Sequence, residues 1–85
     1  MVKTRIMTIK IKIELMGSLK TPTGKRKFNF ELEDGTNVRQ LLKKLDYSEE
    51  DAKYLLTFIN SEHVKHETIL KNGDVVFITV PVGGG

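Results

Sequence analysis

Between residues 5 and 15 the chain alternates with a period of two. Met7, Ile9, Ile11, Ile13 and Leu15 share one face, and Thr8, Lys10, Lys12 and Glu14 share the other, the pattern of a long half-buried strand. Phe28, Phe30 and Leu32 alternate in the same way with Asn29, Glu31 and Glu33. Gly17, Pro22 and Gly24 lie between the two runs and mark a loop that reverses the chain, so the two strands are expected to form an antiparallel hairpin. The period then changes. Val38, Leu41, Leu42 and Leu45 stand at i, i+3, i+4 and i+7, one buried stripe of a short helix. Asp34-Gly35-Thr36-Asn37 offers side-chain oxygens to cap its start. Lys43 and Lys44 suit the negative end of its dipole.

Residues 46–53 are polar and acidic, a turn or a fragment of helix. Leu55 to Asn60 (LLTFIN) carries the aromatic and β-branched types of a central strand. Ser61 to Glu67 is a polar connection with room for a brief edge strand. Asn72-Gly73 signals a turn, and Val75 to Val80 (VVFITV) is almost wholly apolar, as in a strand covered on both faces or paired with a partner. The first and last strands are the most apolar, which places them side by side and parallel at the centre of the sheet. The expected fold is α+β, a ubiquitin-like β-grasp with a mixed four- to five-stranded sheet packed on one helix. The expected domain covers residues 1–81, and 82–85 form a flexible C-terminal glycine tail.

Eighty-five residues make one domain, and a domain that small leaves little interior for a cofactor pocket. No cysteine is present, which excludes a disulfide scaffold, a thiolate zinc site and any sulfur intermediate held on a side chain. No apolar run is long enough to span a bilayer and the first residues lack a signal-peptide core, so the expected location is cytoplasmic. Charge is unevenly spread. Residues 1–27 hold eight basic groups against Glu14 alone, whereas the remainder holds six basic and ten acidic groups. Such a bias suits an acidic partner or nucleic acid, and Lys10, Lys12, Lys25, Arg26 and Lys27 are the residues an RNA-binding domain would use. No aromatic residue is interleaved with them, so a stacking platform for single-stranded RNA is missing and direct nucleic-acid binding is not the expectation.

A conventional active site is hard to build from these residues. His63 and His66 lie in a polar connection flanked by Glu62 and Glu67, with no cysteine or clustered aspartate to complete a metal set. No Ser or Thr has a histidine-and-acid arrangement that spacing could justify, and Glu49, Glu50 and Asp51 lie on a solvated stretch. What remains is the end of the chain. The last strand runs into Pro81-Val82-Gly83-Gly84-Gly85. Proline ends sheet pairing because it lacks an N–H. Glycines without Cβ atoms pass through a channel too narrow for side chains, and four extended residues reach about 13 Å beyond the folded body. The α-carboxylate itself is ionised and a poor electrophile. It must be activated, for instance as a mixed anhydride with AMP, and a partner must supply the ATP site.

Leu70-Lys71-Asn72-Gly73-Asp74-Val75-Val76-Phe77-Ile78 followed by Pro81-Val82-Gly83-Gly84-Gly85 resembles the end of molybdopterin synthase small subunits. Those end in a glycine-aspartate turn, a hydrophobic strand and a Pro-Val-x-Gly-Gly tail. Gly17-Ser18-Leu19-Lys20 to Thr23-Gly24 is similar to the first hairpin loop of that family, Asp34-Gly35-Thr36 with Val38 and Leu41-Leu42 to its helix start, and Ile59-Asn60 to the strand before its variable turn. Small archaeal modifier proteins and the ubiquitin-related modifier are close in sequence to the same pattern. The resemblance implies a carrier that is not itself an enzyme and binds no cofactor. An E1-like enzyme using ATP and Mg would adenylate Gly85. The adenylate would become a thiocarboxylate that donates sulfur to molybdopterin or tRNA, or it would form isopeptide bonds with lysines. By the same match Pro81, Val82, Gly83 and Gly84 lie along the activating enzyme's channel, and Phe77 and Thr79 face a partner from the outward phase of the last strand. The implied partners are the activating enzyme, a sulfur donor, and acceptors such as a pterin-synthase large subunit, a tRNA thiolase, or lysine-bearing targets and the proteasome. Two positions depart from the molybdopterin type: Val80 stands where a second proline is common, and Thr79 where an apolar residue often docks. Two other classes remain open, a ubiquitin-fold interaction module that is never activated and the basic RNA-binding domain.

Overall fold

The computed structural model describes residues 7–16 and 24–80. The hairpin loop over 17–23, the tail 81–85 and the domain boundary expected at residue 81 lie outside them. The elements follow the order β1 (Thr8–Leu15), β2 (Lys27–Glu33), α1 (Val38–Lys44), α2 (Glu49–Tyr54), β3 (Leu56–Ile59), β4 (Glu62–Val64) and β5 (Val75–Thr79). The five strands form one sheet in the order β2-β1-β5-β3-β4. β1 and β5 are central and parallel, with Ile13 opposite Val76, and β1 pairs antiparallel with β2, Ile11 opposite Phe30. This is the arrangement that the apolar content of the first and last strands predicts.

One face of the sheet carries the core. Ile9, Ile11, Ile13 and Leu15 of β1, Leu32 of β2 and Val76 and Ile78 of β5 are buried there against Val38, Leu41, Leu42 and Leu45. Each such side chain contributes roughly 1.5–3 kcal/mol when fully withdrawn from water. Met7 departs from the expected stripe. It shares the phase of Ile9 but precedes the first ladder pair, Thr8 with Glu33, and is 68% exposed. Its carbonyl accepts a hydrogen bond from Asp34 N at 2.7 Å, so it anchors the hairpin end by backbone alone.

The start of α1 is fixed by a capping box. Asn37 Oδ1 accepts from Gln40 N at 2.8 Å, and Asn37 N donates to Gln40 Oε1 at 3.0 Å. Val38 N and Arg39 N donate to the carbonyls of Thr68 and His66, and Leu70 N donates to Thr36 O. The long connection after β4 is therefore stitched to the helix. The acidic stretch forms a second helix beyond the one expected to cover the sheet: α2 has six residues, Ser48 as N-cap and Glu49, Glu50 and Asp51 in its first turn. Asn60 and Ser61 join β3 to β4 with φ of 51° and 73°, the double left-handed geometry of a tight type I′ hairpin.

Candidate functional site

The opposite face of the sheet is built by the residues between the core positions. Outward from β5 come Val75, Phe77 and Thr79. Phe77 sits beside Glu14 on one side and Phe58 on the other, and Thr79 beside Leu56. Met16 continues this row, because its N–H donates to Ile78 O at 2.8 Å and so extends the parallel ladder by one step. Phe58 lies opposite His63, ring centroids 5.3 Å apart. The result is an apolar strip of Met16, Leu56, Phe58, Val75 and Phe77 that follows β5 from its first residue to the end of the sheet where it finishes. Met16 is 41% and Val75 38% exposed, and Leu56, Phe58 and Phe77 are half-buried. Large side chains that stay uncovered at neighbouring positions mark a contact surface more often than isolated ones do.

The strip has a polar flank over β1 and β2. Lys27 Nζ meets Glu14 Oε1 at 3.3 Å, and Lys12 lies between Asn29 and Val75. A groove of about 520 Å³ runs between this flank and Val75 and Phe77. Lys12 and Lys27, two of the basic residues of the first 27 positions, thus border the apolar strip.

Of the residues that the sequence singles out, Phe77 and Thr79 take the outward phase expected of them. Gly85, Gly84, Gly83, Val82 and Pro81 lie outside the described residues. Val75 shares the phase of Phe77 and Thr79, Met16 joins the surface through the ladder beyond β1, and Leu56 and Phe58 belong to it although the run Leu55 to Ile59, apolar but for Thr57, hides its phase until pairing with β5 is known. The histidines come to different ends. His63 is exposed against Phe58, whereas His66 is half-buried and its Nε2 donates to Leu55 O at 2.9 Å. Among the described residues no three His, Cys, Asp or Glu side chains come together as a metal set. No described helix is long and apolar enough to cross a membrane.

The turn that launches β5 is held by side chains. Asp74 Oδ2 accepts from Lys71 N at 2.8 Å and Asp74 Oδ1 from Asn60 Nδ2 at 3.2 Å. Asn60 Oδ1 accepts from Val75 N, and Asn72 Oδ1 from Lys10 N. Gly73, at φ 87°, gives the turn its left-handed step. These bonds fix the register of β5 and hence the position at which the chain leaves the sheet.

A mixed sheet with parallel central strands, one face on a helix and the other presenting an apolar strip beside the last strand, defines a ubiquitin-like β-grasp protein. The chain belongs to the ThiS family, whose model matches residues 13–85, a family of small ubiquitin-fold sulfur carriers and modifiers. No curated protein matches it significantly in sequence. Its fold is similar to that of a Pyrococcus furiosus protein described as molybdopterin converting factor subunit 1, at 24% identity and a TM-score of 0.71 over 87% of this chain and 99% of that one. Small archaeal modifier protein 1 of Methanosarcina acetivorans superposes at 23% identity with a TM-score of 0.64, over 93% of this chain and 99% of that one. A third likeness, at 21% identity and a TM-score of 0.61 over 91% of this chain and 100% of the other, is found in the Helicobacter pylori complex of molybdopterin-converting factor subunits 1 and 2.

Proposed function

We propose that the chain acts through its own C-terminal carboxylate, on Gly85. An E1-like partner binds the outer sheet face, and Pro81 to Gly84 pass through its channel to an ATP-Mg site. One carboxylate oxygen attacks the α-phosphorus of ATP, pyrophosphate leaves, and an acyl adenylate forms. A sulfide-level donor then displaces AMP to give the thiocarboxylate, or a lysine amine displaces it to give an isopeptide. The fold supplies no reactant of its own. It fixes the register of β5, the strand that precedes the tail, and offers the surface by which the activating enzyme recognises the chain.

The observation that carries this reading is the apolar strip of Met16, Leu56, Phe58, Val75 and Phe77, which follows β5, the strand that precedes the tail, to the end of the sheet. A surface that docks beside the tail brings the carboxylate to a partner's site without any further contact. The family match over residues 13–85 supports the same conclusion. Partners of the kinds implied by the resemblance, a pterin-synthase large subunit, a tRNA thiolase or lysine-bearing targets, would take the activated group.

The test is intact-mass measurement after incubation with ATP, Mg, an activating enzyme and a sulfur donor. Exchange of one oxygen for one sulfur at Gly85, or appearance of lysine conjugates, is the expected result. A chain lacking Gly84 and Gly85 should keep its fold and lose both products. If the shortened chain still reacts, the carboxylate of Gly85 is not the working group.

A further inference from the structure

On the helical side of the sheet, opposite the outer strip, α1 and α2 flank a groove of about 410 Å³. Its α1 wall carries Arg39 and Lys43, its α2 wall Ala52 and Lys53, and Tyr47 and His66 line it between them. The groove is poorly closed by the fold itself. α2 buries none of its residues, and Ala52, its deepest, is only half-buried. The bond from His66 Nε2 to Leu55 O fixes the imidazole in place.

Charge in the groove is one-sided. Arg39 and Lys43 stand four apart on α1, where like charges are neighbours and weaken a helix by a few tenths of a kcal/mol. Lys53 faces them from α2. Glu49 is the single acidic side chain of the lining. Arg39 meets Glu67 at 2.6 Å, but their side chains are 64% and 63% exposed, and such surface pairs exchange readily with solvent or another anion. Among the described residues neither Lys43 nor Lys53 has an acidic partner within ion-pair reach.

We propose that this groove binds a short acidic amphipathic segment of a partner protein. Its apolar side chains cover Ala52 and the edge of Tyr47, and its carboxylates meet Arg39, Lys43 and Lys53. One helical turn separates Arg39 from Lys43, which matches acidic side chains spaced four apart on a docked helix. A single-stranded RNA fits less well. Tyr47 is only 7% exposed and cannot offer a ring face for a base to stack on. The site is independent of the tail chemistry. It lies across the sheet from the outer strip, so a carrier held by its activating enzyme at that strip keeps the groove free for a second protein.

The experiment titrates the full-length, ¹⁵N-labelled chain with a synthetic probe peptide of about three helical turns built from glutamate and leucine pairs. Controls are the same peptide with lysine in place of glutamate, and a short polyuridine. Amide shifts should move at Arg39, Lys43, Ala52 and Lys53. Reversing both lysines (K43E with K53E) should weaken binding roughly tenfold or more, and the neutral pair K43Q with K53Q should fall between. Both positions are exposed and lie in the last turns of their helices, so the reversed pair should melt slightly lower through the helix dipoles, while both variants keep the parent's spectrum of dispersed amides. Shifts centred on Lys12 and Phe77, equal binding of the lysine peptide, equal binding by the reversed variant, no binding at millimolar peptide, or tighter binding of polyuridine to the groove would each overturn the proposal. None of these results bears on whether Gly85 is activated.

Discussion

Asn60 and Asp74 clasp the two turns at one end of the sheet: Asn60 Nδ2 donates to Asp74 Oδ1, while Asn60 Oδ1 accepts from the N–H of Val75, the first residue of β5. Asp74 is 8% exposed and also accepts from Lys71 N. Removing its carboxylate leaves a backbone N–H and an amide without their acceptor. Asp74→Ala should cost about 1–3 kcal/mol for the unpaired groups. Chemical denaturation should show a lowered midpoint, and asparagine at the same place should recover part of the loss.

Thr57 tests the opposite case. It is fully buried in β3, and among the described residues its hydroxyl has no hydrogen-bond partner. A desolvated hydroxyl with nothing to bond costs about 1–3 kcal/mol. Thr57→Val keeps the shape and removes that cost, so the variant should be more stable. A gain of about 1 kcal/mol would raise Tm by roughly 4–8 °C in a domain of this size, readable by calorimetry.

Ser61 occupies the second corner of the β3–β4 hairpin at φ 73°. A residue with a Cβ pays a steric penalty there that glycine avoids. Ser61→Gly should therefore be neutral to stabilising by up to about 1 kcal/mol, despite the larger entropy of a glycine-bearing unfolded chain. Denaturant midpoints of the two proteins decide it.

Tyr47 links stability to alkaline pH. Burial raises its phenol above the usual value of 10.0, because the phenolate loses its hydration inside the fold. The folded form therefore keeps its proton where the unfolded chain has begun to lose it. This contribution is complete below pH 10 and disappears as pH rises through the raised value. Tyr47→Phe should show a flatter loss of stability above pH 10 than the parent protein, measured by urea unfolding across that range.

The outer strip predicts a separation of folding from function. Phe58 and Phe77 are half-buried on the face opposite the core. Phe77→Asp should leave the circular dichroism spectrum and the core intact yet slow adenylation by an activating enzyme at least tenfold, mainly through a raised KM. Lys65→Asp, an exposed position away from the strip, serves as the control and should react normally.

How much of this could be foreseen depended on whether a residue's environment repeats. β1 was legible because its core and solvent faces alternate without a break from Thr8 to Leu15. α1 was legible because Val38, Leu41, Leu42 and Leu45 form a stripe and Asn37 stands three before Gln40. α2 has no stripe to show, since it buries nothing, and only Ser48 and three acids announce it. The outer strip is assembled from three separate stretches of chain, so no local period reveals it. Phe77 and Thr79 could be placed on the outward phase, but Leu56 and Phe58 needed the register with β5, and Met16 needed the parallel ladder that runs past the end of β1. The groove between α1 and α2 is of the same kind: Arg39 and Lys53 are distant in sequence, and only the packing of the helices brings them face to face.

The parallel pairing of β1 with β5 joins Lys12 to Val75 and Leu15 to Ile78, residues from opposite ends of the sequence. β5 also fills the lane between β1 and β3, so a nascent chain that has not yet released Val75 to Thr79 from the ribosome has two strands facing an unfilled gap. Contacts of such long sequence separation form late and slowly. Assembly of the interior therefore waits on the last strand to be synthesised, and a product cut short before it cannot reach the native state. The architecture acts as a proofreading step for completeness: a molecule that has folded has also been translated to the base of its tail.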